Sequence, residues 1–287
     1  MREFNEETLT EAVVARMQGT PDPRLRQVMS SAVKHLHAFV REVRPTPQEW
    51  LAAIQFLTDT GKMCDDKRQE FIIASDTLGV SMLVDFLNYG KQGNSTESTV
   101  LGPFFVEGAP EIPIGGTIAR AGTPGRAALV TGTVKNTRGQ PIAGASVGVW
   151  QSDEEGFYDV QRKDGSNLRG TVKSDADGAF WFRTVVPKYY PVPTDGPVGR
   201  MLKATGRHPM RPGHLHFMLR APGYKELVTH LFTSGDPYLD SDVVFGVKES
   251  LIVDYEKVES KDEAAKRGLT APFWRVHYDF VLLEAKR

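Results

Sequence analysis

His214 and His216 stand two residues apart in Arg211-Pro-Gly-His-Leu-His-Phe217, after a proline and a glycine and ahead of an apolar run. In a strand, whose side chains repeat every two residues, both imidazoles point to one side. Two neutral imidazoles on one face make half of a metal site. A strand histidine is also commonly a packed or hydrogen-bonded residue, so the pair by itself leaves both readings open. The other candidate ligands lie upstream: Tyr158 in Glu155-Gly-Phe-Tyr158-Asp, and Tyr190 in Pro187-Lys-Tyr-Tyr190-Pro, with Tyr189 as competitor for the second place. Both segments read as strand ends. Two phenolates with two imidazoles suit ferric iron, a hard cation that favours anionic oxygen, and make a poor zinc site. A phenol that ordinarily ionises near pH 10 needs a metal's charge to lose its proton, so iron and phenolate must arrive together.

Something must hold these four side chains. The chain has 287 residues and is 40% hydrophobic, enough for one large domain or two ordinary ones. Acidic and basic residues nearly cancel, 36 against 35, so no long-range field favours nucleic acid or an anionic membrane, and a small ligand is expected. The single cysteine, Cys64, excludes an intrachain disulfide and fits a reducing cytoplasm. The opening residues, Met1-Arg-Glu-Phe-Asn-Glu-Glu, lack the order of a secretion signal, and no stretch is long and apolar enough to span a bilayer. A cytoplasmic protein without a membrane span is the expectation.

The first ninety or so residues carry helical periods. Leu9, Val13 and Met17 repeat every fourth residue, and Leu25, Val28, Met29, Ala32, Val33, Leu36, Phe39, Val40 and Val43 form one wide apolar stripe. His35 and His37 share that segment; two residues apart on a helix they point in different directions, and both are expected at the surface. Thr46-Pro-Gln-Glu49 is a capping box that starts the next helix, with Gly61 as its end. A further helix is predicted from about Lys67 to Asn88. The polar run Lys91–Ser98 then marks a boundary, giving domains 1–97 and 98–287. Beyond it, strands are predicted at 127–135, 146–150, 179–186, 215–219 and 226–232, with turns between them and no helical period. That pattern indicates an all-β sandwich of mainly antiparallel sheets.

Four separated motifs in order carry a resemblance that covers nearly the whole chain: Leu101-Gly-Pro-Phe-Phe105, Val149-Trp-Gln-Ser-Asp-Glu-Glu-Gly-Phe-Tyr158, Val186-Pro-Lys-Tyr-Tyr-Pro-Val-Pro-Thr-Asp-Gly-Pro197 and Arg211-Pro-Gly-His-Leu-His-Phe217. Together they resemble the intradiol ring-cleaving dioxygenases. The helical first third is similar to the linker domain of the family's catechol 1,2-dioxygenase branch. The resemblance implies a non-haem Fe(III) cofactor held by Tyr158, Tyr190, His214 and His216. It prefers Tyr190 to Tyr189 because Tyr190 stands third after Pro187, as in the family's Pro-x-x-Tyr turn. It implies that Tyr190 doubles as the base that takes a substrate proton, and that Arg211 stabilises negative charge developing on the ring; the alternative for Arg211 is a loop anchor paired with a carboxylate. The implied reaction opens a vicinal aromatic diol with both atoms of dioxygen to a cis,cis-muconate, without external reductant or nicotinamide.

Several details resemble the hydroxyquinol branch: Gln151-Ser-Asp-Glu-Glu, Val228-Thr-His230, and Tyr238-Leu-Asp-Ser-Asp-Val-Val-Phe245. By the same resemblance Asp76 falls at a pocket position that is apolar in catechol enzymes, where a carboxylate would read the third hydroxyl of benzene-1,2,4-triol. A turn cap or an ion pair is its other reading. Ile73, Val100, Leu101, Gly102, Pro103, Phe104, Val243 and Val244 complete the expected substrate pocket. The family also implies a homodimer through the N-terminal helices, enclosing a phospholipid, whereas the bland reading of the stripe is a cover for the sandwich. Two alternatives stay open: a catechol or chlorocatechol 1,2-dioxygenase, and, from a different class, a metal-free β-sandwich carrier of a small ligand.

Overall fold

The computed structural model describes residues 3–65, 68–162 and 165–285. It falls into two compact units, one ending at Asp59 and one beginning at Thr60. The first is helical. Helix α1 spans Leu9–Arg16 and α2 spans Pro23–Val43, started by Asp22, whose carboxylate accepts the N–H of Arg24 (2.8 Å) and Leu25 (3.3 Å). Helix α3, Pro47–Lys62, begins with the predicted capping box: the Glu49 carboxylate accepts the N–H of Thr46 (2.7 Å) and the Thr46 hydroxyl accepts that of Glu49 (3.2 Å). Gly61 lies within the last turn of α3 rather than ending it. The stripe of α2 is open in the single chain, where Leu36 and Phe39 are 62% and 59% exposed and no residue of the helix is buried. His35 is exposed as expected, but His37 is half-buried, its Nδ1 3.0 Å from the Thr10 hydroxyl of α1.

In the second unit, α4 (Glu70–Thr77) and α5 (Val80–Tyr89) replace the single helix predicted from 67 to 88. Lys67 lies outside the described residues. The break is at Gly79, whose φ of +73° is a left-handed turn that glycine enters without steric cost. An apolar period continuing on both sides hid it.

The strands are β1 (Ala127–Asn136), β2 (Ser146–Trp150), β3 (Arg169–Lys173), β4 (Ala179–Val185), β5 (Tyr190–Pro191), β6 (Met210–Arg211), β7 (His214–Arg220), β8 (Leu227–Thr233), β9 (Ile252–Val253), β10 (Glu256–Val258), β11 (Phe273–His277) and β12 (Phe280–Leu282). Two short helices interrupt them, α6 (Pro197–Ala204) and α7 (Lys261–Lys266), where no helical period was expected; two turns are too short to show one. One sheet runs β10-β11-β1-β12 with β4 also on β1, and the other runs β3-β2-β7-β8-β9. Pairing is mostly antiparallel, apart from β1 with β11 and β12 and β8 with β9.

Alternation along β7 explains the site's position. Leu215, Phe217 and Leu219 enter the core between the sheets with Val130, Phe180, Phe182 and Phe280. His214, His216 and Met218 therefore face the other side of the sheet. Across that side the ladder aligns Arg169, Trp150, His216 and His230 in one row, on β3, β2, β7 and β8. Among the described residues no helix is long and apolar enough to cross a membrane.

Candidate metal centre

Loops cover the histidine face and bring both tyrosines to it. Tyr158 follows the turn Asp153–Gly156, and Tyr190 is held by the β5–β6 pair, opposite Arg211. The Tyr158 hydroxyl lies 2.7 Å from that of Tyr190 and 2.8 Å from His216 Nε2, and His216 Nε2 lies 3.1 Å from His214 Nε2. Two phenols and two imidazoles thus meet at one point, all at 3% exposure or less. Tyr189 does not reach it; that ring is 39% exposed and packs edgewise on Tyr238.

The electrostatics describe a set of donors waiting for a cation. Burial pushes both phenols above their ordinary range, Tyr158 more strongly, with Tyr190 beside it adding to the effect. Burial likewise pushes His214, His216 and His230 well below theirs, helped in each by Arg211 and in His216 and His230 by neighbouring imidazoles, so all three are neutral. The Nδ1 of His214 lies 2.7 Å from the Pro212 carbonyl, to which it donates, leaving the Nε2 lone pair on the cluster side. Ligands at right angles, each about 2.0–2.1 Å from one ion, sit roughly 2.9 Å apart. The contacts of 2.7, 2.8 and 3.1 Å match that spacing, and a donor set with two phenol oxygens fits ferric iron.

His230 is the residue that the sequence reading left out of the site. Its ring lies 4.1 Å from His216 and 4.7 Å from His214, and the three imidazoles form a buried cluster with ligand atoms within 4.8 Å of one another. The signal was there: the β7–β8 hairpin turns about Gly223, and 216 and 230 are equidistant from it. Arg211 stands beside His230, with Nη2 3.5 Å from the imidazole Nδ1. Arg211 also reaches His214 Nε2 with Nη1 (3.1 Å), while its Nε donates to the Asp242 carboxylate (3.1 Å). The arginine thus stands at the cluster and also pairs with a carboxylate.

The expected pocket residues divide. Asp76, Val100, Leu101 and Gly102 line one cavity of about 760 Å³, together with Ser75, Ser81 and Val228. It meets the cluster at Gly102, where an added Cβ would stand 3.2 Å from His216 Cε1. Asp76 is buried; burial raises its carboxyl above the usual range, against the lowering effect of a hydrogen bond with Ser81 and of Arg211's charge. Phe104 stacks on the Tyr158 ring (4.5 Å between centroids), with Pro103 half-buried before it. Val243 instead lines a second cavity of about 530 Å³ with Arg207 and His208, and Ile73 and Val244 are buried lining neither. Arg169, also missed, ties the covering loops together: it pairs with Asp159 (2.7 Å), next to Tyr158, and donates to the Phe104 carbonyl (2.9 Å).

Comparison with known proteins matches the chain in two stretches. Residues 22–96 match the catechol dioxygenase N-terminus family and residues 100–284 the dioxygenase family. The chain is 51% identical over 283 residues to a hydroxyquinol 1,2-dioxygenase of Rhizobium sp. (strain MTP-10005), covering 97% of this chain and 96% of the relative. It is 51% identical over 284 residues to a 6-chlorohydroxyquinol 1,2-dioxygenase of Cupriavidus pinatubonensis, covering 98% and 99%. The crystal structure of a hydroxyquinol 1,2-dioxygenase from Pseudomonas putida DLL-E4 superposes with a TM-score of 0.90 at 52% identity, covering 98% and 99%. The chain belongs to the intradiol ring-cleavage dioxygenase family.

Proposed function

We propose that this protein is a hydroxyquinol 1,2-dioxygenase, which opens benzene-1,2,4-triol between its two adjacent hydroxyl-bearing carbons. Both atoms of dioxygen enter the product, 3-hydroxy-cis,cis-muconate, which tautomerises to maleylacetate. The observation that carries this is the meeting of Tyr158, Tyr190, His214 and His216 at one buried point that abuts a cavity bearing a carboxylate. The names and identities of the relatives support the triol as substrate.

In this reading Tyr158, Tyr190, His214 and His216 hold a non-haem Fe(III). Bound there, the ion supplies Lewis acidity that keeps the diol ionised and draws electron density from its ring. The Tyr190 phenolate takes one substrate proton. Arg211 offers Nη1 to negative charge on the substrate oxygen or ring, in a site where burial makes that interaction strong. Asp76 bonds the third hydroxyl, and the Phe104–Tyr158 stack limits the space beside the ring. Val100 and Leu101 give the Asp76 cavity an apolar wall, with Gly102 leaving room beside His216.

The exposed stripe of α2 supports a homodimer through the N-terminal helices, with a phospholipid as further occupant of that face. The division into a helical module, 1–97, and a catalytic module, 98–287, rests on the polar run between them and on the two family matches either side of it. A cytoplasmic location is in keeping with the single cysteine.

The test is a visible spectrum of the purified protein together with dioxygen uptake. A red protein that turns over hydroxyquinol with a higher kcat/KM than catechol supports the reading. A preference for catechol transfers it to the catechol or chlorocatechol 1,2-dioxygenases. A colourless protein that binds a diol without consuming dioxygen is the metal-free carrier.

A further inference from the structure

We infer that Asp242 is the positioning residue for Arg211, holding the guanidinium by its Nε and Nη2 edge so that Nη1 is turned toward His214 in the imidazole and phenol cluster. The inference rests on the proposed reading of that cluster as the dioxygenase centre. Asp242 and Arg211 are both buried, at 5% and 3% exposure. Arg211 Nε donates to Asp242 Oδ1 (3.1 Å) and Nη2 to Oδ2 (3.3 Å). This two-point pairing fixes the plane of a guanidinium as a single contact cannot. The remaining edge, Nη1, lies 3.1 Å from His214 Nε2. That lone pair cannot serve both a guanidinium and a metal. A metal taking that lone pair would release Nη1 as a donor.

Asp242 is itself held. Its Oδ2 accepts the N–H of Gly246 (3.0 Å) and its Oδ1 that of Val244 (3.4 Å), so each oxygen is shared between the guanidinium and its own turn. The turn is locked to the arginine's strand by a bond from Val243 N–H to the Met210 carbonyl (3.1 Å). On its other side the Thr99 hydroxyl donates to the Gly246 carbonyl (3.0 Å). Residues 242–246 and the guanidinium are therefore tied together by hydrogen bonds. Gly246 is where that arrangement is tightest: an added Cβ would stand 3.2 Å from both Arg211 Nη2 and Asp242 Oδ2, and 3.1 Å from Thr99 Oγ1. A buried ion pair contributes little net stability against apolar packing, so orientation of the arginine is the better physical reason for this one.

The experiment compares iron-loaded full-length wild type, Asp242→Asn, Gly246→Ala, Arg211→Ala and the double variant Arg211→Ala/Asp242→Asn, with steady-state kinetics on hydroxyquinol. Asp242→Asn is expected to keep its iron and its KM within about threefold while kcat falls about tenfold or more, the signature of lost transition-state stabilisation. Gly246→Ala, which leaves both charges and pushes on the guanidinium, is expected to lower kcat in the same direction. The double variant is expected to lose no more than Arg211→Ala alone, since a positioning residue has nothing to position once its partner is gone. Unchanged kcat in folded Asp242→Asn, or losses that multiply in the double variant, would overturn the inference. If Asp242→Asn does not fold, an unchanged kcat in Gly246→Ala overturns it instead. A wild type that consumes no dioxygen with either hydroxyquinol or catechol overturns the dioxygenase reading; active wild type with unaffected variants overturns the positioning role alone.

Discussion

His216 and His230 sit opposite each other across the β7–β8 ladder, ring centroids 4.1 Å apart and nearly perpendicular, with His216 stacked on Trp150 from the other side at 4.8 Å. Neither imidazole can accept a proton without facing its neighbours, and burial opposes the charge in both. His214 is in the same position.

A pH dependence of the iron-free protein follows. The three folded-state values lie well below the unfolded value near 6.5, so the unfolded chain takes up protons that the folded one refuses. Stability is full above that value and falls as the pH drops, each histidine contributing up to about 1.4 kcal/mol per pH unit in the window. The buried phenols act at the other end: their raised values mean that stability is lost once the unfolded tyrosines ionise, above about pH 10. Urea midpoints of the iron-free form from pH 7 to pH 5 should decline steadily. A flat profile would remove the neutral-imidazole description.

Tyr158→Phe and His216→Ala should each lose most of the bound metal and the visible absorption, since each deletes a donor at the meeting point. Iron content per chain, measured beside the spectrum, checks this; full iron with full colour in either variant would exclude that residue as a ligand. Tyr189→Phe, outside the cluster, should keep both.

For substrate choice the decisive variant is Asp76→Ala. Iron and colour should be retained while the ratio of kcat/KM for hydroxyquinol over catechol falls by roughly tenfold or more, because a site built to bond a hydroxyl discriminates through that bond. An unaltered ratio would leave Asp76 with its Ser81 hydrogen bond as a structural partner only.

Gly102→Ala is expected to damage activity more than folding. Its φ of +77° costs an L-residue roughly 1–2 kcal/mol, and the new methyl would press on the His216 ring at 3.2 Å. A thermal midpoint lowered by a few degrees with a much larger loss of iron affinity is the expected pattern. Wild-type iron affinity would show that the imidazole tolerates the shift.

The α2 stripe predicts an assembly. Phe39→Glu with Leu36→Glu, on residues more than half exposed in the single chain, should convert a dimer to a monomer in sedimentation without unfolding the strand-rich unit. A monomeric wild type would remove the homodimer from the proposed function.

Local patterns in the chain were enough for much of this. Alternation along β7 put His214 and His216 on one face because a strand's period of two needs no partner to be read, and the Thr46–Glu49 capping box closed as its residue types require. Strands β1, β2, β4, β7 and β8 were legible from local patterns as well, whereas β3, β5, β6 and β9 to β12 were not predicted. Other features depended on contacts distant in sequence. The break at Gly79 was hidden by an apolar period on both sides of it, and α6 was too short to display one. His230 entered the cluster through the register of a hairpin, and Asp242 through an ion pair with a residue 31 positions away. Of Tyr189 and Tyr190, neighbours of one type, the β5–β6 pairing turns Tyr190 inward and leaves Tyr189 at the surface. By itself the sequence determined which donors were available and that strand geometry would pair the histidines. Only the tertiary structure decided which groups share one buried point, because burial and distance are properties of packing, and these two together set the charge state of every group in the site.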